Sequence, residues 1–189
     1  MRKYAILIII IFLASWLQAG DDELNCFTVV AGTLASADGS VLLAHNEDDS
    51  GRQTLNIHKV PAQEHRRGEM FTMKSGTTIA RSGNTPGLLW LQMPGSDFGD
   101  AYISEFGVAL TSDACLSRED NGVLCEGGFG FSLRRLVAER ARTAREGVRI
   151  AGELISRFGY NSSGRAYIIA DPAEGWILHA VKGKHWVAR

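Results

Sequence analysis

Between Phe131 and Phe158 the apolar residues recur at helical spacing, while on either side they come in short β-branched runs. Phe131, Leu133, Leu136, Val137 and Ala141 form one stripe, with Arg134, Arg135, Glu139 and Arg140 opposite. Thr143 and Glu146 have the spacing of a capping box. Val148, Ile150, Ala151, Leu154, Ile155 and Phe158 supply the next apolar face, and Gly159 closes it. Before this pair the pattern predicts strands at 27–31, 40–46, 56–60, 69–73, 77–80, 88–93 and 101–111. Asp38-Gly39 is the turn signal joining the first two, and Gly107 divides the last into a second hairpin. After the helices come 166–170, an Asp171-Pro172 turn, 176–181, a turn at Gly183, and 185–188. Strands, two packed helices, then strands predict an α+β layered fold.

The chain start is of a different kind. Two cations, Arg2 and Lys3, precede an apolar run over 4–17, and Gln18-Ala19-Gly20 offers small residues for cleavage. The run is short for a bilayer span, so 1–20 reads as a signal peptide, with an uncleaved anchor as the alternative. Export to the periplasm or the outside is therefore expected. Residues 26–189 form one domain, of a size that buries roughly 68–70% of its unfolded surface. The balance of 20 basic and 21 acidic residues carries no nucleic-acid signature, and no stable membrane partner is expected. His58, His65, His179 and His185 share no ligand spacing, so no metal is expected. Cys115 and Cys125 are either a disulfide, leaving Cys26 over, or two small core residues. Asn161-Ser162-Ser163 is a formal glycosylation acceptor. The chain stops within an apparent strand at Trp186, Val187, Ala188 and Arg189, so a longer protein is expected.

Cys26 opens the first strand. If 21–25 is a short propeptide, its removal leaves Cys26 with both a thiol and a free α-amine. The thiol is a poor nucleophile until deprotonated. An α-amine has an ordinary pKa near 7.7–8.0 and accepts the proton, whereas a peptide nitrogen does not. The competing readings are a buried small residue and a lipid-bearing cysteine, the latter opposed by Glu23 and Asn25 where small residues are needed. The second strand ends His45-Asn46-Glu47-Asp48-Asp49, and antiparallel pairing returns that end toward Cys26. Asp48 is placed to hold an α-ammonium; the alternative is a solvated turn.

Cys26-Phe27-Thr28-Val29-Val30-Ala31-Gly32, Ala35-Ser36-Ala37-Asp38-Gly39-Ser40 and Asn46-Glu47-Asp48 resemble the opening of the dipeptidase A family. These are cysteine-type N-terminal-nucleophile (Ntn) hydrolases, related to secernins and choloylglycine hydrolases. Glu105-Phe106-Gly107-Val108-Ala109, the run from Ala138 to Glu146, Ile169-Ala170-Asp171-Pro172-Ala173-Glu174-Gly175-Trp176 and Gly183-Lys184-His185-Trp186-Val187-Ala188 resemble later segments. The resemblance implies an αββα sandwich, incomplete at its C-terminus, and self-cleavage to expose Cys26. It implies cofactor-free hydrolysis of small peptides, with Asp48 as the acid of the Asn-x-Asp motif.

Three positions depart from that pattern. His45 stands where Arg or Lys precedes the motif's Asn46, and an imidazole lacks the permanent charge and two-pronged grip of a guanidinium. Ser112-Asp113 stands where an Asn and an acid are usual; a hydroxyl there still has a proton to donate toward an oxyanion. Arg165-Ala166 replaces an Asn-Ser pair, and Arg165 is either a substrate-carboxylate ligand or a surface arginine. The expectation is an exported cysteine-type dipeptidase, acting as a single chain or as a homo-oligomer. The alternatives are an N-acyl amide hydrolase or acyltransferase, and an inactive exported or lipid-anchored domain.

Overall fold

The computed structural model describes residues 26–48, 54–92, 94–96, 98–119 and 121–189. The expected signal peptide and propeptide lie outside these residues.

Two strands, β1 (Phe27–Ala31) and β2 (Leu42–Asn46), form the first hairpin. Thr28, Val29 and Val30 are β-branched and favour extended backbone, and the Asp-Gly turn forms as the sequence predicts. Gly39 takes a positive φ of 76°, and Asp38 Oδ1 accepts from the Ser40 amide at 3.0 Å. Register pairs Phe27 with Asn46, Thr28 with His45 and Val29 with Ala44. Phe27, Val29 and Leu42 on its outer face are 57–59% exposed.

Among the described residues the main sheet has seven antiparallel strands. In chain order these include β3 (Asn56–Val60), β8 (Leu88–Gln92), β9 (Ala101–Ser104) and β10 (Ala109–Ala114). Then come β11 (Tyr160–Ala170), β12 (Gly175–Gly183) and β13 (Trp186–Ala188). Their spatial order is β13-β12-β11-β10-β9-β8-β3. Four short strands fill the stretch between β3 and β8: β4 (Gln63–Glu64), β5 (Met70–Thr72), β6 (Thr78–Ala80) and β7 (Asn84–Thr85). Gly107 splits 101–111 as expected. β11, by contrast, starts six residues before the predicted 166–170, because the polar run Asn161-Ser162-Ser163 is carried into the sheet past an irregularity between Tyr160 and Gly164. The formal glycosylation acceptor therefore lies in a strand.

Two helices lie among the described residues, α1 (Ser132–Ala138) and α2 (Ala144–Phe158), and both pack on one face of this sheet. Thr143 caps α2 by accepting from the Glu146 amide at 3.1 Å. Glu146 reaches back to the Arg142 amide rather than to that of the cap. The core lies between helices and sheet, where Leu133, Leu136, Ile155, Ile169 and Leu178 are fully buried, each stabilising by about 1.5–3 kcal/mol. The hairpin packs on the other face, against β10 and β11. Helices, sheet and hairpin are three of the four layers of an αββα sandwich.

Candidate functional site

Side chains along paired strands alternate between faces, so the Thr28–His45 pairing fixes which residues look toward the main sheet. Cys26 and Thr28 share that inner face with His45 and Glu47. Phe27 and Asn46 point the other way, and Asn46 is exposed.

Cys26 sits half-buried at the hairpin's open end. Its thiol proton has two acceptors, Glu47 Oε1 at 3.2 Å and the Asp48 carbonyl at 3.7 Å. The Asp48 amide donates to Sγ at 3.4 Å. Asp48 therefore reaches the sulfur through its backbone. The carboxylate on the sulfur is Glu47. Its other oxygen, Oε2, lies 2.9 Å from His45 Nε2. The remaining ring nitrogen of His45 faces Thr28 Oγ1 at 2.9 Å and Asp113 Oδ1 at 3.3 Å. A continuous polar chain thus runs from Cys26 through Glu47 and His45 to Asp113 on β10.

Burial pushes the Cys26 thiol above its ordinary value. The Asp48 amide opposes that rise, and the hydrogen bond to Glu47 and the charges of Glu47 and Asp113 add to it. Burial also works to raise Glu47, but hydrogen bonds from His45 and Cys26, with the charges of His45 and Arg134, outweigh it. The Glu47 carboxyl is held below its usual range. The pair therefore rests as a thiol donating to a carboxylate.

Of the sequence-predicted residues, Cys26, His45 and Asp113 come together, with Asp48 beside them. Ser112 and Arg165 do not. Ser112 is one step from Asp113 on β10 and faces the helices, where Arg165 Nη1 donates to its Oγ at 3.2 Å. Arg165 also donates to Tyr160 OH at 3.2 Å and stacks over Phe131, 4.5 Å from the ring centre. It braces the helix side of the sheet, with the sheet between it and Cys26. Glu47 has no role in the sequence analysis; the hairpin register that brings it to the sulfur is fixed only in the folded chain.

A cavity of about 250 Å³ opens beside Glu47 and His45, between the hairpin and β8–β10. Leu43, Leu91, Tyr102 and Leu110 make its walls mostly apolar. Cys115 and Cys125 are both exposed and unpaired, so the disulfide reading is not realised here. Among the described residues no group of three or more His, Cys, Asp or Glu side chains is placed to hold a metal ion.

The profile of peptidase family C69 matches residues 25–189. A dipeptidase of Bifidobacterium longum (strain NCC 2705) is 29% identical, over 87% of this chain and 34% of its own length. A probable dipeptidase of Latilactobacillus sakei is 28% identical, over 86% of this chain and 36% of its own length. The chain thus spans about a third of the curated relatives it matches. Among solved structures, penicillin V acylase from Agrobacterium tumefaciens superposes with a TM-score of 0.57 at 14% identity, covering 86% of this chain and 48% of that one. That likeness identifies the fold as that of the Ntn hydrolases.

Proposed function

We propose that this chain, which belongs to peptidase family C69, is part of an exported dipeptidase whose nucleophile is Cys26. The observation that carries the reading is the place of that sulfur: at the start of the first strand of the matched region, half-buried, and in contact with the closing end of its own hairpin.

In the unprocessed chain the Cys26 nitrogen is an amide and has no basicity. Once the bond to Asn25 is cut, the freed amine takes the thiol proton, and the sulfur attacks the carbonyl carbon of a peptide. The proton passes on to the departing amine, leaving a thioester. Water then hydrolyses the thioester, and the α-amine serves as base again. Asp48 is the acid beside the new ammonium. The amide nitrogen of Asp48, which donates to Sγ, favours the thiolate once it forms. The cavity beside Glu47 suits an apolar residue on the acyl side of the scissile bond.

The test pairs intact mass with turnover on the full gene product recovered from the exported fraction. The mature chain is expected to begin at Cys26 and to hydrolyse dipeptides with an apolar first residue, and Cys26→Ala abolishes this. Turnover that survives Cys26→Ala removes the sulfur from the reaction. A panel in which N-acyl amino acids are cleaved and dipeptides are not reassigns the chain to amide hydrolysis of another kind.

A further inference from the structure

The proposed reaction uses an amine that does not exist until the chain has been cut, so the cut itself needs a different base. We infer that Glu47 is that base: it takes the thiol proton of Cys26 while the Asn25–Cys26 bond is still intact. This rests on the reading that the chain matures by attack of its own sulfur.

The geometry is specific to one carboxylate. Glu47 Oε1 lies 3.2 Å from Sγ, within proton-transfer reach. Its other oxygen is fixed by His45, so the carboxylate cannot turn both oxygens to solvent without breaking that bond. His45 is held in turn by a hydrogen bond to Thr28 on β1, with Asp113 Oδ1 of the main sheet 3.3 Å from the same ring nitrogen. The charged groups around Glu47 include His45 on β2, Asp113 on β10, Asp100 in the wall of the same cavity and the more remote Arg134 on α1. Asp48 meets the sulfur with two backbone groups, an amide that donates to it and a carbonyl too weakly basic to take its proton.

The step balances as follows. Sγ–H gives its proton to Glu47, and the sulfur bonds to the carbonyl carbon of Asn25. The carbon–nitrogen bond to Cys26 breaks, and the proton on Glu47 moves to the departing nitrogen. An Asn25 thioester on Cys26 remains, with the amine now free. Water cleaves it, giving the Asn25 carboxylate and restoring the thiol. Transfer from a raised thiol to a lowered carboxyl runs uphill, so the proton moves as the sulfur bonds to the carbonyl carbon.

The experiment follows cleavage of the full gene product by intact mass, with circular dichroism to confirm folding. Glu47→Gln keeps the side chain's shape and removes its basicity. It is expected to slow cleavage by about 100-fold or more, the usual worth of a general base. Added formate is expected to raise the rate of folded Glu47→Ala, because the small carboxylate fills the vacated place. Cleavage of Glu47→Gln at the wild-type rate, or no response of folded Glu47→Ala to formate, overturns the assignment. Failure of the underlying reading looks different: Cys26→Ala then still opens before residue 26, or wild type never opens there.

Discussion

His45 Nδ1 and Asp113 Oδ1 stand 3.3 Å apart, and this contact joins the hairpin to the main sheet at the level of the sulfur. Asp113 does not touch Cys26. It stands against the ring that hydrogen-bonds Glu47, a place from which it would act as a positioning residue. Asp113→Asn keeps the volume and removes the charge. The expected result is a drop in kcat of about 10–100-fold, since misplacement on the ångström scale has consequences of that order. A melting temperature within a few degrees of wild type shows that the loss is local. A larger fall in kcat for His45→Ala than for Asp113→Asn places the ring between them.

Glu47 holds Cys26 as a thiol and, on the inference above, also receives its proton. These two roles predict effects of opposite sign from one substitution. In freshly made, uncleaved protein, Glu47→Gln removes a hydrogen-bonded negative charge from the sulfur. The Cys26 thiol should then titrate at lower pH than in the wild type, where it is raised. The iodoacetamide rate at Cys26, read from its own peptide so that exposed Cys115 and Cys125 do not interfere, should rise at neutral pH. Self-cleavage should fall in the same sample. Both rates moving in one direction contradicts this account.

Gly175 lies under Val30. A Cβ built at Gly175 would stand 2.5 Å from Val30 Cγ2, closer than real contacts allow. The hairpin bearing Cys26 rests on this close approach at the start of β12. Gly175→Ala should lift the hairpin, destabilise the fold by about 1–3 kcal/mol and lower turnover. Val30→Ala in the same chain removes the methyl in the way and should recover a large part of both losses. Denaturant unfolding with kcat/KM for the four combinations measures the coupling; additive effects deny the contact.

The layered α+β plan, the cap on α2 and the Gly107 division were legible because each has a local cause: helical periodicity, a capping hydroxyl, a glycine at positive φ. The long β11 was not, because Asn161, Ser162 and Ser163 have turn-like chemistry, and only the sheet around them overrides it. In the site, Cys26 and its nearness to the end of β2 followed from antiparallel pairing. Which acid touches the sulfur did not. Glu47 and Asp48 are neighbours, and in a strand neighbours face opposite ways, so a one-residue difference in register exchanges them. The ten-residue connection between β1 and β2 leaves that register open in the sequence. Ser112, read as an oxyanion donor, and Arg165, read as a substrate ligand or a surface arginine, lie apart from Cys26 because strand alternation turns both to the helix side.

Asp171 joins the β11–β12 turn to the start of α2 with three hydrogen bonds. Its Oδ2 accepts from the Ala144 amide at 2.6 Å, and its Oδ1 accepts from Ala173 at 2.7 Å and Glu174 at 3.0 Å. Burial works to raise this carboxyl, but the three amides outweigh it and hold it below the ordinary carboxylate range. A depressed pKa in the folded state means that the unfolded chain binds the proton first as acid is added. The stabilisation is therefore fully present above the unfolded value, near 3.9, and is lost as pH falls through the lower folded value. Asp171→Asn, whose amide oxygen still accepts but carries no charge, is expected to be less stable by about 1–3 kcal/mol at pH 6. Thermal unfolding of both proteins from pH 6 to pH 2.5 checks the sign. Their melting temperatures should converge below pH 4, and a gap that stays constant or widens in acid means that the charge on Asp171 does not hold this corner.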